Sequence, residues 1–289
     1  MPAADWQILW KRNPHPRDKR IYFIEETHTY FVDGSSEGNL STTKFLHAFF
    51  SHFDADAVIT KMMTGRNWTK SKYYGKTLEQ IKAEWNENGR VASEAGTKMH
   101  LAIEQYLNDA GHLIPEDVLV TPEWKYFMAF WKDHGDDIEP YRLEWEVFTD
   151  PQTKLTGSID GVFRRKSDGK ILIYDWKRSK DIKSENLYGG RGLPPVEHLH
   201  DANYWHYTLQ LNVYRWILET YYGLEVADMY LVILHPDNKS YKRMRLNRLD
   251  DEVADMVEAR RRAVAEGCKQ DVILPLPAEE NEPCMIRYM

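Results

Sequence analysis

The chain has 289 residues, room for one large domain or one and a half, and its 42% hydrophobic and 13% aromatic content is ample for a folded core. With 45 acidic against 38 basic residues the net charge is −7, so affinity for a polyanion must come from the distribution of charge and not from its sum. No apolar run approaches the ~20 residues that span a bilayer, Met1 to Trp6 lacks the basic-then-apolar pattern of a secretory leader, and Cys268 and Cys284 are too few for a four-cysteine iron–sulfur cluster.

Along the chain, Arg20–Glu25 and His28–Val32 are predicted to form a short β-hairpin, and Ser41-Thr42-Thr43 to cap a helix reaching Phe49. Helices are expected at Asp54–Met63 and Leu78–Asn86, giving residues 1–90 a mainly helical lobe. Within it, Lys61 to Lys76 gathers Lys61, Arg66, Lys70, Lys72 and Lys76 with no Asp or Glu, interleaved with Trp68, Tyr73 and Tyr74. Cations for phosphates beside rings for bases suit a single-stranded or frayed nucleic-acid end. The competing reading is a solvated loop whose rings, Trp68 and Tyr73 among them, tuck into the core.

A long helix is predicted over Val91–Asp109, with Ala95, Met99, Ala102, Ile103 and Tyr106 as its apolar stripe and His100 and Glu104 one turn apart beside it. Thr121-Pro122-Glu123 opens a helix to about His134. Glu144–Phe148 should be a strand, and its Glu144 and Glu146 are read as structural. Gly189–Pro195 is a glycine- and proline-rich loop without the Gly-Lys-Ser/Thr of a phosphate-binding loop, so no ATP site is expected. A helix at Tyr204–Tyr222, strands at Met229–Leu234 and Tyr241–Arg245, and a helix at Asp250–Glu266 complete a core over residues 91–270. Residues 271–289 form a tail.

Two acidic segments carry most of the chemistry: Gly157-Ser158-Ile159-Asp160-Gly161 and Ile171-Leu172-Ile173-Tyr174-Asp175-Trp176-Lys177. Ser167-Asp168-Gly169-Lys170 between them signals a tight turn. With Asp168 and Gly169 as the two loop residues, Val162 faces Asp175 and Asp160 faces Lys177. Side chains alternate along a strand, so Asp160, Asp175 and Lys177 share one face, within reach of one small ion or phosphate. Hard carboxylate oxygens hold Mg²⁺ or Mn²⁺, and an ammonium steadies a nucleophile or developing charge, which together suit phosphodiester hydrolysis. A surface lattice of ion pairs is the plainer alternative, as a simple helix-surface contact is for His100 and Glu104. Beyond the strand, Arg178, Ser179 and Lys180, with Lys183 and Arg191, continue a basic stretch placed to meet phosphates.

Gly96-Thr97-Lys98-Met99-His100-Leu101-Ala102-Ile103-Glu104, then Gly157-Ser158-Ile159-Asp160, Asp175-Trp176-Lys177 and Gln210-Leu211-Asn212-Val213-Tyr214 follow one another at sensible spacing. In that order they resemble the motifs of the RecB-type branch of the PD-(D/E)XK nucleases, which includes lambda-type exonucleases of phages and large DNA viruses. The resemblance covers roughly residues 91–234. It implies a restriction-endonuclease-like α/β core with a mixed central sheet flanked by helices, and an N-terminal lobe forming part of a DNA channel.

It further implies that His100, Asp160 and Asp175 bind Mg²⁺ or Mn²⁺ with the main-chain carbonyl of Trp176, and that Lys177 is the catalytic lysine. Gln210 and Tyr214 then lie against the DNA or the site, and Glu104 reaches a second metal through water or orients its helix. Asp175 stands where many relatives have glutamate. The implied activity is digestion of DNA from its ends to 5′-phosphate products in recombination, replication or repair. A structure-specific or restriction-like endonuclease and a DNA-binding module without turnover are the alternatives. The expected partners are DNA ends, a recombination or single-strand-binding protein, and further copies of the chain, in an intracellular setting (the cytoplasm, or a host nucleus for a viral protein).

Overall fold

The computed structural model describes residues 4–267; Cys268, Cys284 and the expected tail at 271–289 lie outside the described residues. Helix α1 (Ile8–Arg12) leads into the hairpin of β1 (Ile21–Ile24) and β2 (Thr29–Val32), close to the bounds expected. The two-residue strand β3 (Leu40–Ser41) runs into α2 (Thr42–His47), where the Ser41 hydroxyl caps the helix by accepting from the main-chain N–H of Lys44. Asp54 caps α3 (Ala55–Met63) in the same way.

The two helices expected on either side of residue 88 are one: α4 runs unbroken from Leu78 to Leu107. A glycine inside a helix costs ~1 kcal/mol against alanine, but Arg90, next to Gly89, bridges Glu87 at 2.6 Å and also Glu94, tying the turns on either side of that point together. Residue 90 therefore sits in mid-helix. The short α5 (Glu116–Leu119) and the Thr121-capped α6 (Pro122–His134) bring the chain to the sheet.

Five further strands follow: β4 (Ile138–Phe148), β5 (Leu155–Arg165), β6 (Ile171–Lys177), then, after α7 (Asn203–Tyr221), β7 (Val226–Ile233) and β8 (Lys242–Arg245). They build a mixed six-stranded sheet with β3. β6 is antiparallel to β5 and parallel to β7, with α7 as the crossover between the parallel pair. Buried on both faces, β6 reads as a nearly continuous apolar run. Ile171 and Ile173 pack towards α7 and the last helix, α8 (Asp250–Ala265), while Leu172, Tyr174 and Trp176 pack towards α4 and α6. The chain is thus a mixed α/β protein whose central sheet is covered by helices on both faces.

β5 is the strand that positions the site. One edge pairs with β4 along nearly its whole length, from Thr156 to Arg165. The other edge pairs with β6 only from Gly161 to Arg164, and with β3 only at Leu155 and Thr156. Residues 157–160 therefore have no strand partner on that side, and the sheet splits there.

The hairpin register differs from the one expected. Arg165 pairs with Lys170 across a four-residue loop, so Val162 faces Ile173 and not Asp175. Asp168 is drawn out of the two-residue turn because both its carboxylate oxygens engage Arg165. The slip is two residues, so side-chain parity survives it.

The amino-terminal segment is fastened across the core. Gln7 donates to Glu104 on α4 at 2.8 Å, and Asn108 accepts from the main-chain N–H of Leu9. Asp18 forms a buried ion pair with Arg142 on β4 and accepts from the Trp145 indole. No helix among the described residues is long and apolar enough to cross a membrane.

Candidate functional site

Where β5 and β6 part, the Asp160 carboxylate takes the place of a missing ladder partner and accepts from the main-chain N–H of Trp176 at 2.9 Å. A main-chain donor fixes a carboxylate more rigidly than a mobile side chain does, so Asp160 is aimed by the sheet itself. The carbonyl of the same Trp176 lies 3.0 Å from Nε2 of His100. Nδ1 of His100 stands 3.3 Å from Oε1 of Glu144 and 3.6 Å from Oδ2 of Asp160. One ligand atom from each of His100, Glu144 and Asp160 falls within 4.8 Å of the others, the spacing one cation can bridge.

Glu144 belongs to this group although a structural role was expected for it from the sequence. Its backbone explains the difference: φ is +42°, in the left-handed region that a non-glycine residue inside a strand rarely adopts. That torsion re-aims the side chain towards His100 and Ser158, whose hydroxyl donates to Oε2 at 3.2 Å. Backbone in such regions costs of order 1–3 kcal/mol and persists where surrounding contacts over-determine it.

Asp175 and Lys177 stand next to the cluster as a buried pair. Nζ of Lys177 donates to Oδ1 at 3.0 Å and lies 2.8 Å from Oδ2, yet Oδ2 receives no hydrogen bond among the described residues. Burial, then the nearby Asp160, pushes the Asp175 carboxyl up to about 6, against the pull of Lys177. Burial opposes the Lys177 charge, but Asp175 and Asp160 outweigh it and hold the ammonium above its ordinary value. The ammonium also sits 4.9 Å over the ring of Tyr207. For His100, burial disfavours the imidazolium, while Asp160 and Glu144 more than compensate and hold its pKa at about 9. Burial likewise raises Asp160, with His100 drawing it down and Glu144 pushing it up.

Acceptor oxygens crowded this closely repel one another, which is the electrostatic condition a divalent cation relieves. The donor set comprises an imidazole, carboxylates and a main-chain carbonyl, and it suits Mg²⁺ or, because of the nitrogen, Mn²⁺. The residues present therefore fit such an ion: His100, Glu144 and Asp160 would hold it, with the Trp176 carbonyl and Asp175 at hand.

Glu104 is buried one turn further along α4, where it accepts from Gln7. Burial raises its pKa to about 7, the Gln7 hydrogen bond lowers it, and Glu144 raises it again. Gln210 and Tyr214 lie one turn apart on α7, and Tyr214 is buried. The Tyr214 ring lies against the unpaired stretch of β5, so a Cβ at Gly157 would meet its Cε1 at 2.7 Å. Only a residue without a side chain admits the ring there.

The remaining residues singled out in the sequence have partners of their own. Arg178 donates to the buried Glu123 at 2.7 Å, Lys180 pairs with Asp237 at 2.8 Å, and the Ser179 hydroxyl turns back to the carbonyl of Asp181. Tyr73 is buried in a small satellite core with Ile59 and Ile81, its hydroxyl accepting from Trp85, and Trp68 packs against that core. Neither ring is brought to the acidic cluster.

Two residues not anticipated come close to the site. Tyr207 carries the Lys177 ammonium. Tyr30 on β2 has its hydroxyl pKa raised by burial first and then by Glu146, Glu144 and Asp160. Helical spacing with Gln210 and Tyr214 could have marked Tyr207 (i, i+3, i+7). Nothing local marks Tyr30, which a distant hairpin supplies.

No family model matches this chain, and no curated protein does. Among solved structures it overlaps with the crystal structure of SSO0001, at 15% identity and a TM-score of 0.34, over 80% of this chain and 77% of that one. It also overlaps with a protein described as a putative exonuclease from Eubacterium rectale, at 12% identity and a TM-score of 0.38, over 79% of each chain. At TM-scores this low, the geometry of the site has to carry any assignment.

Proposed function

We propose that this chain is a divalent-metal-dependent deoxyribonuclease that hydrolyses phosphodiesters from DNA ends and leaves 5′-phosphates, in recombination, replication or repair. The observation that carries this reading is one juxtaposition: His100, Glu144 and Asp160 within 4.8 Å of one another, beside the buried Asp175–Lys177 pair, at a split in the sheet. When bound, Mg²⁺ or Mn²⁺ would neutralise charge on the scissile phosphate and lower the pKa of water nearby.

The protein's own groups do the rest. Asp160, held by the Trp176 N–H, keeps its oxygens fixed at the split. Asp175 anchors one proton of Lys177, leaving its other two donor positions for a water or a phosphate oxygen. The ammonium is placed to stabilise the charge that accumulates on phosphorus in the transition state. Glu104, with a pKa of about 7, exchanges a proton near neutral pH. Tyr214 braces the unpaired stretch of β5 at Gly157, with Gln210 one turn away on α7.

The test is digestion of linear and circular DNA, labelled at either end, with Mg²⁺ or Mn²⁺, by the native protein and by Asp160→Asn. End-dependent loss of linear DNA, reduced at least ~10²-fold in the variant, is the expected result. Cleavage of circular DNA would replace the exonuclease reading with an endonuclease, and turnover undiminished in Asp160→Asn would remove the site.

A further inference from the structure

Residues 61–76 form a basic surface whose rings divide into two kinds. Tyr73 and Trp68 turn inward to the satellite core, whereas Tyr74 is 59% exposed. A tight turn presents it: Lys76 donates its main-chain N–H to the Tyr73 carbonyl at 3.0 Å, and Gly75 supplies the φ of +86° that the turn needs. Opposite stands Tyr188, 93% exposed, on a second turn in which the Gly189 N–H donates to the Asn186 carbonyl at 3.0 Å. Nζ of Lys61 lies 5.9 Å from the centre of the Tyr188 ring, which joins the two pieces into one surface. The loop carrying Tyr188 follows Lys177 in the chain, which tethers this surface to the strand that bears Asp175 and Lys177.

Of the five cations in the segment, Lys76 is paired with Glu84. Lys61, Arg66, Lys70 and Lys72 have no ion pair among the described residues. Two phenol rings held in water by hydrogen-bonded turns, beside unneutralised cations on a chain of net charge −7, suit a partner that is both anionic and flat-faced. Duplex DNA hides the faces of its bases in the stack, and an acidic peptide supplies charge without rings to stack. An unpaired strand supplies both.

We propose that Tyr74 and Tyr188, with Lys61, Arg66, Lys70 and Lys72, form a stacking platform for the single-stranded part of a DNA substrate. The proposal rests on the nuclease reading of the acidic cluster. Trp85, which touches Tyr73, and His100 lie on the same helix fifteen residues apart. At 1.5 Å per residue that is about 22 Å, or roughly six or seven stacked nucleotides at ~3.4 Å each. On that scale a four-nucleotide strand seated at the cluster is too short to stack on Tyr74 as well.

The experiment measures fluorescence anisotropy of labelled oligothymidylates, four and sixteen nucleotides long, and of a blunt sixteen-base-pair duplex. The protein is Asp160→Asn in Mg²⁺, with Tyr74→Ala or Tyr188→Ala added; Tyr188 is 93% exposed, and because Tyr74 also meets the edge of the Trp68 ring at 5.9 Å, the Tm of each variant is measured alongside and should be unchanged. The sixteen-mer should bind at least about tenfold more tightly than the four-mer. Each tyrosine variant should weaken sixteen-mer binding by about 5- to 150-fold, the range for one lost base stack, and leave four-mer and duplex binding unchanged. Unchanged sixteen-mer binding in both variants overturns the platform, and so does an equal loss for the duplex. Digestion of the four-mer by the protein with Asp160 intact tests the nuclease reading separately. Failure there, with the sixteen-mer losses still seen, sinks the nuclease and keeps the platform.

Discussion

Lys177→Met keeps most of the aliphatic stem and deletes the charge, and its effect on folding follows from the geometry of the pair. The Asp175 side chain is 3% exposed and that of Lys177 19%. Removing one partner of a buried pair costs ~3–5 kcal/mol because the other charge is left uncompensated; the partial exposure of Lys177 argues for the lower end, about 3 kcal/mol at pH 8. Asp175 escapes that cost by taking up a proton. Its carboxyl already titrates at about 6, raised by burial and Asp160 and opposed by Lys177, so deleting Lys177 raises it further. A carboxyl whose folded value exceeds its unfolded value of ~3.9 leaves the folded state holding the extra proton. Stability then falls as pH rises above about 4, and falls further in the variant. Urea denaturation in EDTA should give a loss of about 3 kcal/mol at pH 8 and below about 1 kcal/mol at pH 5. In Mn²⁺ the variant should also lose at least ~10²-fold in turnover. An equal loss of stability at the two pH values would refute the assignment of Lys177 as the compensating charge.

His100→Ala should weaken Mn²⁺ binding in calorimetric titration far more than it weakens DNA binding, and native affinity should rise with pH up to about 9, because His100 must shed its proton to bind. Unchanged affinity in that variant would take His100 out of the ligand set. Gly157→Ala would push a methyl group to 2.7 Å from the Tyr214 ring and 3.0 Å from Oγ1 of Thr42. Overpacking of this kind costs ~1–3 kcal/mol, so Tm should drop by several degrees; an unaltered Tm would mean that the ring swings aside freely.

Asp160, Asp175 and Lys177 were legible as a group because period-two alternation outlasts an error in register. The loop is two residues longer than turn propensity predicts, since Arg165 captures Asp168 through a contact that propensity does not encode, and an even slip leaves every side chain on its face. His100 and Glu104 were legible through helical spacing. Glu144 was not, because strand periodicity assumes extended backbone and this residue departs from it. Tyr30 was equally hidden, since it reaches the cluster only through long-range packing of the first hairpin. Tyr73 shows the converse: interleaved with lysines it reads as a surface ring, but a hydrogen bond from Trp85 and two isoleucines give it an interior. Composition places rings and cations in one segment; tertiary contacts decide which rings face water.

The fastening of residues 7–18 has a consequence for how the molecule comes together. Gln7 and Leu9 wait for partners 97 and 99 positions later, and Asp18 for partners 124 and 127 positions later. This segment is synthesised long before α4 and β4, the elements it ties together and the ones that carry His100 and Glu144. Contacts of such separation pay a large loop-closure entropy before they return anything, which slows folding. Two of the three residues of the cluster thus stand on elements that are tied together by a stretch synthesised far earlier, so variants that cut these ties, such as Asp18→Ala, should slow refolding in stopped-flow measurements.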